Sequence, residues 1–144
     1  MLPISLGKEI VLHWLLHAIF PLDLFIRELI ELARTPEIRG KMILVQNLLA
    51  EEAPPDVAAV RLGRTVAVHE SMPFAIYSFL QNPQSFEECL FCAVLHGGDR
   101  DTLGAMAGAI SGAYLGIDAI PAAWQGKLEN RAYIERLAAA LAET

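Results

Sequence analysis

Two aspartates and a threonine within four residues are the side chains of this sequence best suited to holding a cation. Asp99, Asp101 and Thr102 follow directly on Gly97 and Gly98, between an apolar run and a stretch rich in small residues. The two glycines allow a sharp turn and a close backbone approach. Carboxylate and hydroxyl oxygens are ligands of Mg²⁺ and Ca²⁺. Asp and Thr are also good helix N-caps, so the spacing leaves a cation site and a capped helix start both open.

The histidines are weaker candidates for chemistry. His13 and His17 have the four-residue spacing of a metal pair on one helix face, but no H-E-x-x-H pattern and no obvious third ligand accompany them. We therefore expect a packed or interfacial pair. His69 with Glu70 could perform acid–base chemistry or could form a polar helix start. His96 directly precedes the glycine pair and could contact whatever the aspartates hold.

Length and charge limit the class of protein. The 144 residues include 11 Lys and Arg against 17 Asp and Glu, a net charge of −6, and 54% of them are hydrophobic. This fits one domain with a real core, and the acidic balance does not indicate a nucleic-acid-binding face. No apolar run reaches the roughly 18 residues of a membrane-spanning helix, and Met1 to Gly7 lacks the basic region of a signal peptide. We expect a cytoplasmic protein without nucleic-acid or membrane partners.

The cysteines form a single C-x-x-C motif at Cys89 and Cys92. A zinc framework needs a second pair, and a redox motif needs a βαβ context that the sequence does not show. We expect both thiols to pack as small hydrophobic side chains in a reduced protein.

Apolar residues recur at three- and four-residue spacing along most of the chain, which predicts an all-α fold. Helices are predicted over 8–20, 22–33, 36–51, 74–80, 89–95, 103–117 and 132–142, with a short helix around Trp124. A short turn is predicted at 57–61, and a helix start at Ser71-Met72-Pro73. Glycines recur every fourth residue within 103–117, which predicts that another element packs closely on that helix face: Gly104, Gly108, Gly112 and Gly116.

Two stretches resemble the ADP-ribosylglycohydrolase family, which includes the dinitrogenase-reductase-activating glycohydrolases. GGDRDTLGAMAGAISGAYLG at 97–116, followed by IPAAW at 120–124, is similar to the family's C-terminal signature. Leu62-Gly63 with Val66, followed by ESMPFAIY at 70–77, resembles a segment upstream in the same half of the family. This segment is nearest the branch that removes ADP-ribose from serine and degrades poly(ADP-ribose). The match is specific from Leu62 to Trp124 and loose before Leu62.

The resemblance implies a compact orthogonal bundle of helices with two divalent cations, usually Mg²⁺, near its centre. Asp99, Asp101 and Thr102 match the family's C-terminal metal ligands, while Val66 and Gly98 match positions expected to bind substrate. The implied activity is hydrolysis of the O-glycosidic bond between ADP-ribose and a modified side chain. ADP-ribosylated protein or poly(ADP-ribose) is the implied substrate. The resemblance assigns no catalytic residue in this chain.

The sequence departs from the family pattern in two respects. Arg100 stands between the two aspartates, where the family often has a small or polar residue, and we expect it to point to solvent. This sequence contains neither the family's Thr-Asp-Asp run nor its glycine-rich phosphate loop. Residues 1–144 are therefore interpreted as one domain that resembles the C-terminal half of a family member. The N-terminal half, which would pack against this domain, is expected to be absent. We expect little hydrolysis by this chain alone. A non-enzymatic helical interaction module and an ADP-ribose-binding pseudo-enzyme remain alternatives.

Overall fold

Helices make up about three quarters of residues 21–143, the part of the chain that this computed structural model describes. In chain order they are α1 (Leu22–Leu32), α2 (Pro36–Ala50), α3 (Pro55–Leu62), α4 (Val68–Gln81), α5 (Phe86–His96), α6 (Arg100–Leu115), a 3₁₀ turn (Ile117–Ala119), α7 (Ala122–Gln125) and α8 (Arg131–Ala142). The described range contains no strand, so the all-α prediction is confirmed.

α4 runs through the middle of the fold. All its side chains from Pro73 to Leu80 are buried, and α2, α3, α5 and α6 pack around it. A helix that is apolar on all sides is stable only inside a protein. The hydroxyl of Tyr77 donates a hydrogen bond to the carbonyl oxygen of Ala53 at 2.5 Å, which satisfies the one polar atom of this buried ring. α4 therefore fixes the positions of the helices that carry the candidate site.

The segment 57–61, predicted as a short turn, is part of the helix α3, so that prediction is wrong. Pro55 occupies the start of α3, where a missing N–H removes no intrahelical hydrogen bond. Ala58, Ala59 and Leu62 are buried on one face. This burial against the core stabilises a helix whose sequence signals are short.

α4 begins at Val68 rather than at the predicted start around Ser71–Pro73, so Pro73 lies inside the helix. The amides of Glu70 and Ser71 both donate to the carbonyl oxygen of Ala67 at 2.9 Å, which closes the additional first turn. Pro73 is the sixth residue of the helix, so its missing amide removes one intrahelical hydrogen bond, as a proline does at any interior position. The early start carries Glu70 into the helix and toward the preceding loop.

α6 spans Arg100–Leu115 instead of 103–117, and its glycine face packs against α5. Side chains of α5 lie within 4 Å of the Cβ position at three glycines: Gly104, Gly108 and Gly112. The prediction of close packing on this face is confirmed for these three. Gly116, with a φ of +81°, instead ends the helix.

The remaining predictions on the fold have mixed outcomes. Cys89 and Cys92 are free and buried, as predicted, and burial raises the pKa of the Cys89 thiol to about 11. The predicted helix 8–20, with His13 and His17, lies outside the described residues. Within residues 21–143, no helix has both the length and the apolar character needed to cross a membrane.

Candidate functional site

The turn between α5 and α6 is built on two glycines that approach other parts of the backbone closely. A Cβ at Gly97 would overlap the side chain of Leu103 and would lie 2.5 Å from the carbonyl oxygen of Ala93. A Cβ at Gly98 would lie 2.8 Å from the carbonyl oxygen of Arg64. The close approach that the glycine pair predicts is therefore present, and it brings the turn against the loop between α3 and α4.

The two carboxylates of the turn lie beside each other at the start of α6. Asp99 occupies the N-cap position but its side chain makes no capping hydrogen bond, and its buried Oδ2 has no hydrogen-bond partner among residues 21–143. The pKa of Asp101 is lowered, first by a hydrogen bond with the Asp99 side chain and then by the amides of Asp101 and Thr102. A simple cap at Asp99, one of the two alternatives from the sequence, is not what the structure contains.

This donor set fits a hard divalent cation. A hydrogen bond between two carboxyl groups needs a proton on one of them, and a buried carboxyl oxygen without a donor is destabilising. A cation held by Asp99, Asp101 and the Thr102 hydroxyl would take the place of that proton and would satisfy the buried oxygen. Arg100 is exposed, in agreement with the expectation that its side chain lies in solvent. Across the described residues, no three His, Cys, Asp or Glu side chains form a cluster suited to a metal.

An open depression of about 450 Å³ joins the turn to the loop between α3 and α4. Arg64, Thr65, Val66, Gly98 and Asp99 line it. Three residues that the sequence predicted to bind substrate or metal therefore lie together, although Val66 is far from the other two along the chain. Val66 is 79% exposed, so its methyl groups are available to a ligand.

Arg64 connects the loop to the turn through both its backbone carbonyl group and its side chain. Its carbonyl oxygen accepts hydrogen bonds from the amides of Gly98 at 3.2 Å and Asp99 at 3.0 Å, while its Nη1 donates to the carbonyl oxygen of His96 at 2.9 Å. Arg64 is not among the residues that the sequence predicts for the site. Its main role uses the backbone carbonyl, which every residue has, so residue type offers no signal for it.

The side chain of Glu70 is hydrogen-bonded to this loop. Its Oε2 accepts a hydrogen bond from the amide of Thr65 at 3.1 Å. The pKa of Glu70 is lowered, first by the side-chain hydroxyl and amide of Thr65 and then by the charges of His69 and Lys41. Of the two alternatives for His69 and Glu70, the structure favours the polar helix start, since neither side chain lines the depression.

The two histidines near the site, His69 and His96, do not line the depression. His69 Nε2 lies 3.5 Å from Glu37 Oε1 and 4.0 Å from Glu70 Oε1. His96 Nδ1 lies 3.1 Å from the carbonyl oxygen of Cys92, and the ring borders a separate cavity with Pro55. The predicted contact between His96 and a ligand of the aspartates is therefore not supported by its position.

Comparison with known proteins assigns the family. The family model for ADP-ribosylglycohydrolase matches residues 8–144, so the chain belongs to this family. ADP-ribosylhydrolase ARH3 of Homo sapiens is 40% identical over 90 residues, covering 56% of this chain and 25% of that protein. The Bos taurus ARH3 is 39% identical over 112 residues, covering 71% and 29% respectively. No solved structure matches the chain.

A relative with a different name matches a shorter stretch of the chain. A glycohydrolase of ADP-ribosyl dinitrogen reductase from Rhodospirillum rubrum is 49% identical over 47 residues, which cover 33% of this chain and 16% of that protein. The chain thus spans between about a quarter and a third of the length of the two ARH3 relatives, at 25% and 29%. Family membership therefore does not by itself show that this chain has the activity of the complete relatives.

Proposed function

We propose that this chain supplies one side of a Mg²⁺ site in an enzyme that hydrolyses an ADP-ribosyl O-glycosidic bond. Asp99, Asp101 and Thr102 hold the metal. The observation that supports this most is the buried Asp99 Oδ2, which has no hydrogen-bond partner within residues 21–143 and belongs to a carboxyl group beside that of Asp101. Family membership provides the reaction class, and the similarity to ARH3 suggests ADP-ribosylated protein or poly(ADP-ribose) as substrate.

Each residue of the site has a chemical role in this proposal. In hydrolysis, water adds to the ribose carbon and the bond from that carbon to the side-chain oxygen breaks, with a proton passing to the departing oxygen. Bound Mg²⁺ would orient substrate oxygens and polarise them. Asp99 and Asp101 supply the negative charge, and Thr102 supplies a neutral oxygen. The missing Cβ of Gly98 makes room for the Arg64 carbonyl oxygen. Gly98 and Val66 line the same depression, where Val66 offers the substrate an apolar contact.

The site needs further ligands. Mg²⁺ prefers octahedral coordination, and two carboxylates with one hydroxyl leave several positions to water. We propose that a segment with a Thr-Asp-Asp run and a glycine-rich phosphate loop completes the site and packs on this domain. For that reason the 144-residue chain alone should bind Mg²⁺ weakly and hydrolyse little substrate.

The melting temperature of the 144-residue chain, measured with Mg²⁺ and with ADP-ribose, tests this proposal. A ligand that binds only the native state stabilises it, by about 2.7 kcal/mol at a hundredfold excess over Kd. We expect the melting temperature to rise with Mg²⁺, to rise further when ADP-ribose is added, and to stay constant in the control variant Asp99→Ala/Asp101→Ala. A wild-type chain that responds to neither ligand would contradict the proposal and would favour a helical interaction module.

A further inference from the structure

A single peptide group connects Glu70 to the turn that carries Asp99. The group between Arg64 and Thr65 donates its N–H to Glu70 Oε2 at 3.1 Å, and its carbonyl oxygen accepts from the amides of Gly98 and Asp99 at 3.2 and 3.0 Å. In a trans peptide the N–H and the C=O point in opposite directions within one rigid plane. The bond to Glu70 therefore sets the direction in which the carbonyl oxygen points.

We infer that Glu70 is a positioning residue for the metal site, because it holds the Arg64–Thr65 peptide group and, through it, the turn with Asp99. This inference rests on the proposed function, in which Asp99 is a metal ligand. Hydrogen bonds in a chain also polarise one another, so the carboxylate at one end strengthens the bonds that the carbonyl oxygen accepts at the other. Glu70 does not line the depression and acts only through this peptide group.

Glu70 is itself fixed between the core and the loop. Its side chain occupies the space beside Gly63, where a Cβ would overlap it and where a φ of +87° favours glycine. Lys41 of α2 donates to the carbonyl oxygen of Leu62, which holds the end of α3 just before the loop. The carboxylate of Glu70 thus connects α4 to the non-helical loop between α3 and α4.

A different role for Glu70 would be the stabilisation of α4 alone. A carboxylate in the first turn of a helix interacts favourably with the helix dipole. The bond to Thr65, however, reaches outside the helix, which begins at Val68. Stabilisation of α4 alone would leave the amides of Gly98 and Asp99 unaffected when Glu70 is replaced, so these two amides distinguish the roles.

The experiment measures hydrogen exchange of the Gly98 and Asp99 amides without metal, and the Kd for Mg²⁺, in the full 144-residue chain. In Glu70→Ala, we expect these two amides to exchange about tenfold faster, as for the loss of one hydrogen bond, and the Kd to rise by about 10- to 100-fold. Glu70→Gln keeps an acceptor oxygen for Thr65 and should recover most of both values. Glu31→Ala, an exposed glutamate of α1, is the matched control and should change neither.

Two results would overturn the inference. One is unchanged exchange of Gly98 and Asp99 in Glu70→Ala. The other is equally accelerated exchange in every helix with no recovery in Glu70→Gln, since that pattern reports general destabilisation. A wild-type chain that binds no Mg²⁺ would instead refute the proposed metal site, while the exchange data would still decide whether Glu70 holds the turn. The two failures are therefore distinguishable.

Discussion

Replacing both Asp99 and Asp101 by alanine is expected to lower kcat/KM by at least about a thousandfold in a protein that joins this domain to the remaining metal ligands. Loss of the metal removes several kcal/mol of transition-state stabilisation, and each 1.36 kcal/mol corresponds to about a tenfold change in rate. Hydrolysis of an ADP-ribosyl-serine peptide at saturating Mg²⁺ measures the effect. The exposed neighbour Arg100 provides the control, since Arg100→Ala should keep the activity.

The same double variant should remain folded. Asp99 Oδ2 is buried and has no donor within residues 21–143, so its removal takes away an unsatisfied group rather than a stabilising contact. Removal of Asp101 loses the hydrogen bonds that its carboxylate accepts from the amides of Asp101 and Thr102, which offsets the gain at Asp99. Without metal, the double variant should therefore unfold cooperatively, with a melting temperature close to that of the wild type. Retained hydrolysis would show that the two carboxylates have no role in metal binding. Lost hydrolysis with a collapsed melting curve would show that they are structural.

The second large effect concerns the core. Leu48→Ala should lower the free energy of unfolding by about 2–5 kcal/mol, because it removes a fully buried side chain and leaves a cavity. The matched variant Leu32→Ala changes the same atoms at a position that is 73% exposed, and should stay within about 0.5 kcal/mol of the wild type.

Urea denaturation of both leucine variants measures this difference. α2, which carries Leu48, packs on α4 at the centre of the fold, so the loss reports how well that core is formed. Equal losses in the two variants would contradict the packing described for α2 and α4.

Local signals in the sequence were sufficient for the helices that begin with clear caps. Thr35 accepts a hydrogen bond from the amide of Ile38 with Pro36 at the helix start, and Ser85 does the same for Glu88. The start of α4 differs from the prediction because its first turn is stabilised by hydrogen bonds with the preceding loop, which no short window of sequence contains. α3 was missed for a different reason: Leu62 and its neighbours are helical because one face is buried.

Some residues of the candidate site can be predicted from the sequence, and others cannot. Asp99, Asp101 and Thr102 lie within four residues of sequence, so the sequence indicates their chemistry directly, although the spacing does not distinguish a cation site from a helix cap. Val66 entered only through the family resemblance, and the structure places it beside Asp99 across the depression. The contact of the Arg64 carbonyl oxygen could not be predicted, since a backbone group carries no sequence signal.

The most direct test of the metal site is the paramagnetic broadening of amide resonances when Mn²⁺ is titrated into the isotopically labelled chain. Mn²⁺ shares the preference of Mg²⁺ for oxygen ligands. We predict that the amides of 98–102 broaden first, that those of 64–66 follow, and that α8 is unaffected. Broadening centred on other acidic residues, such as Glu51 and Glu52, with the turn of Asp99 unchanged would contradict the account.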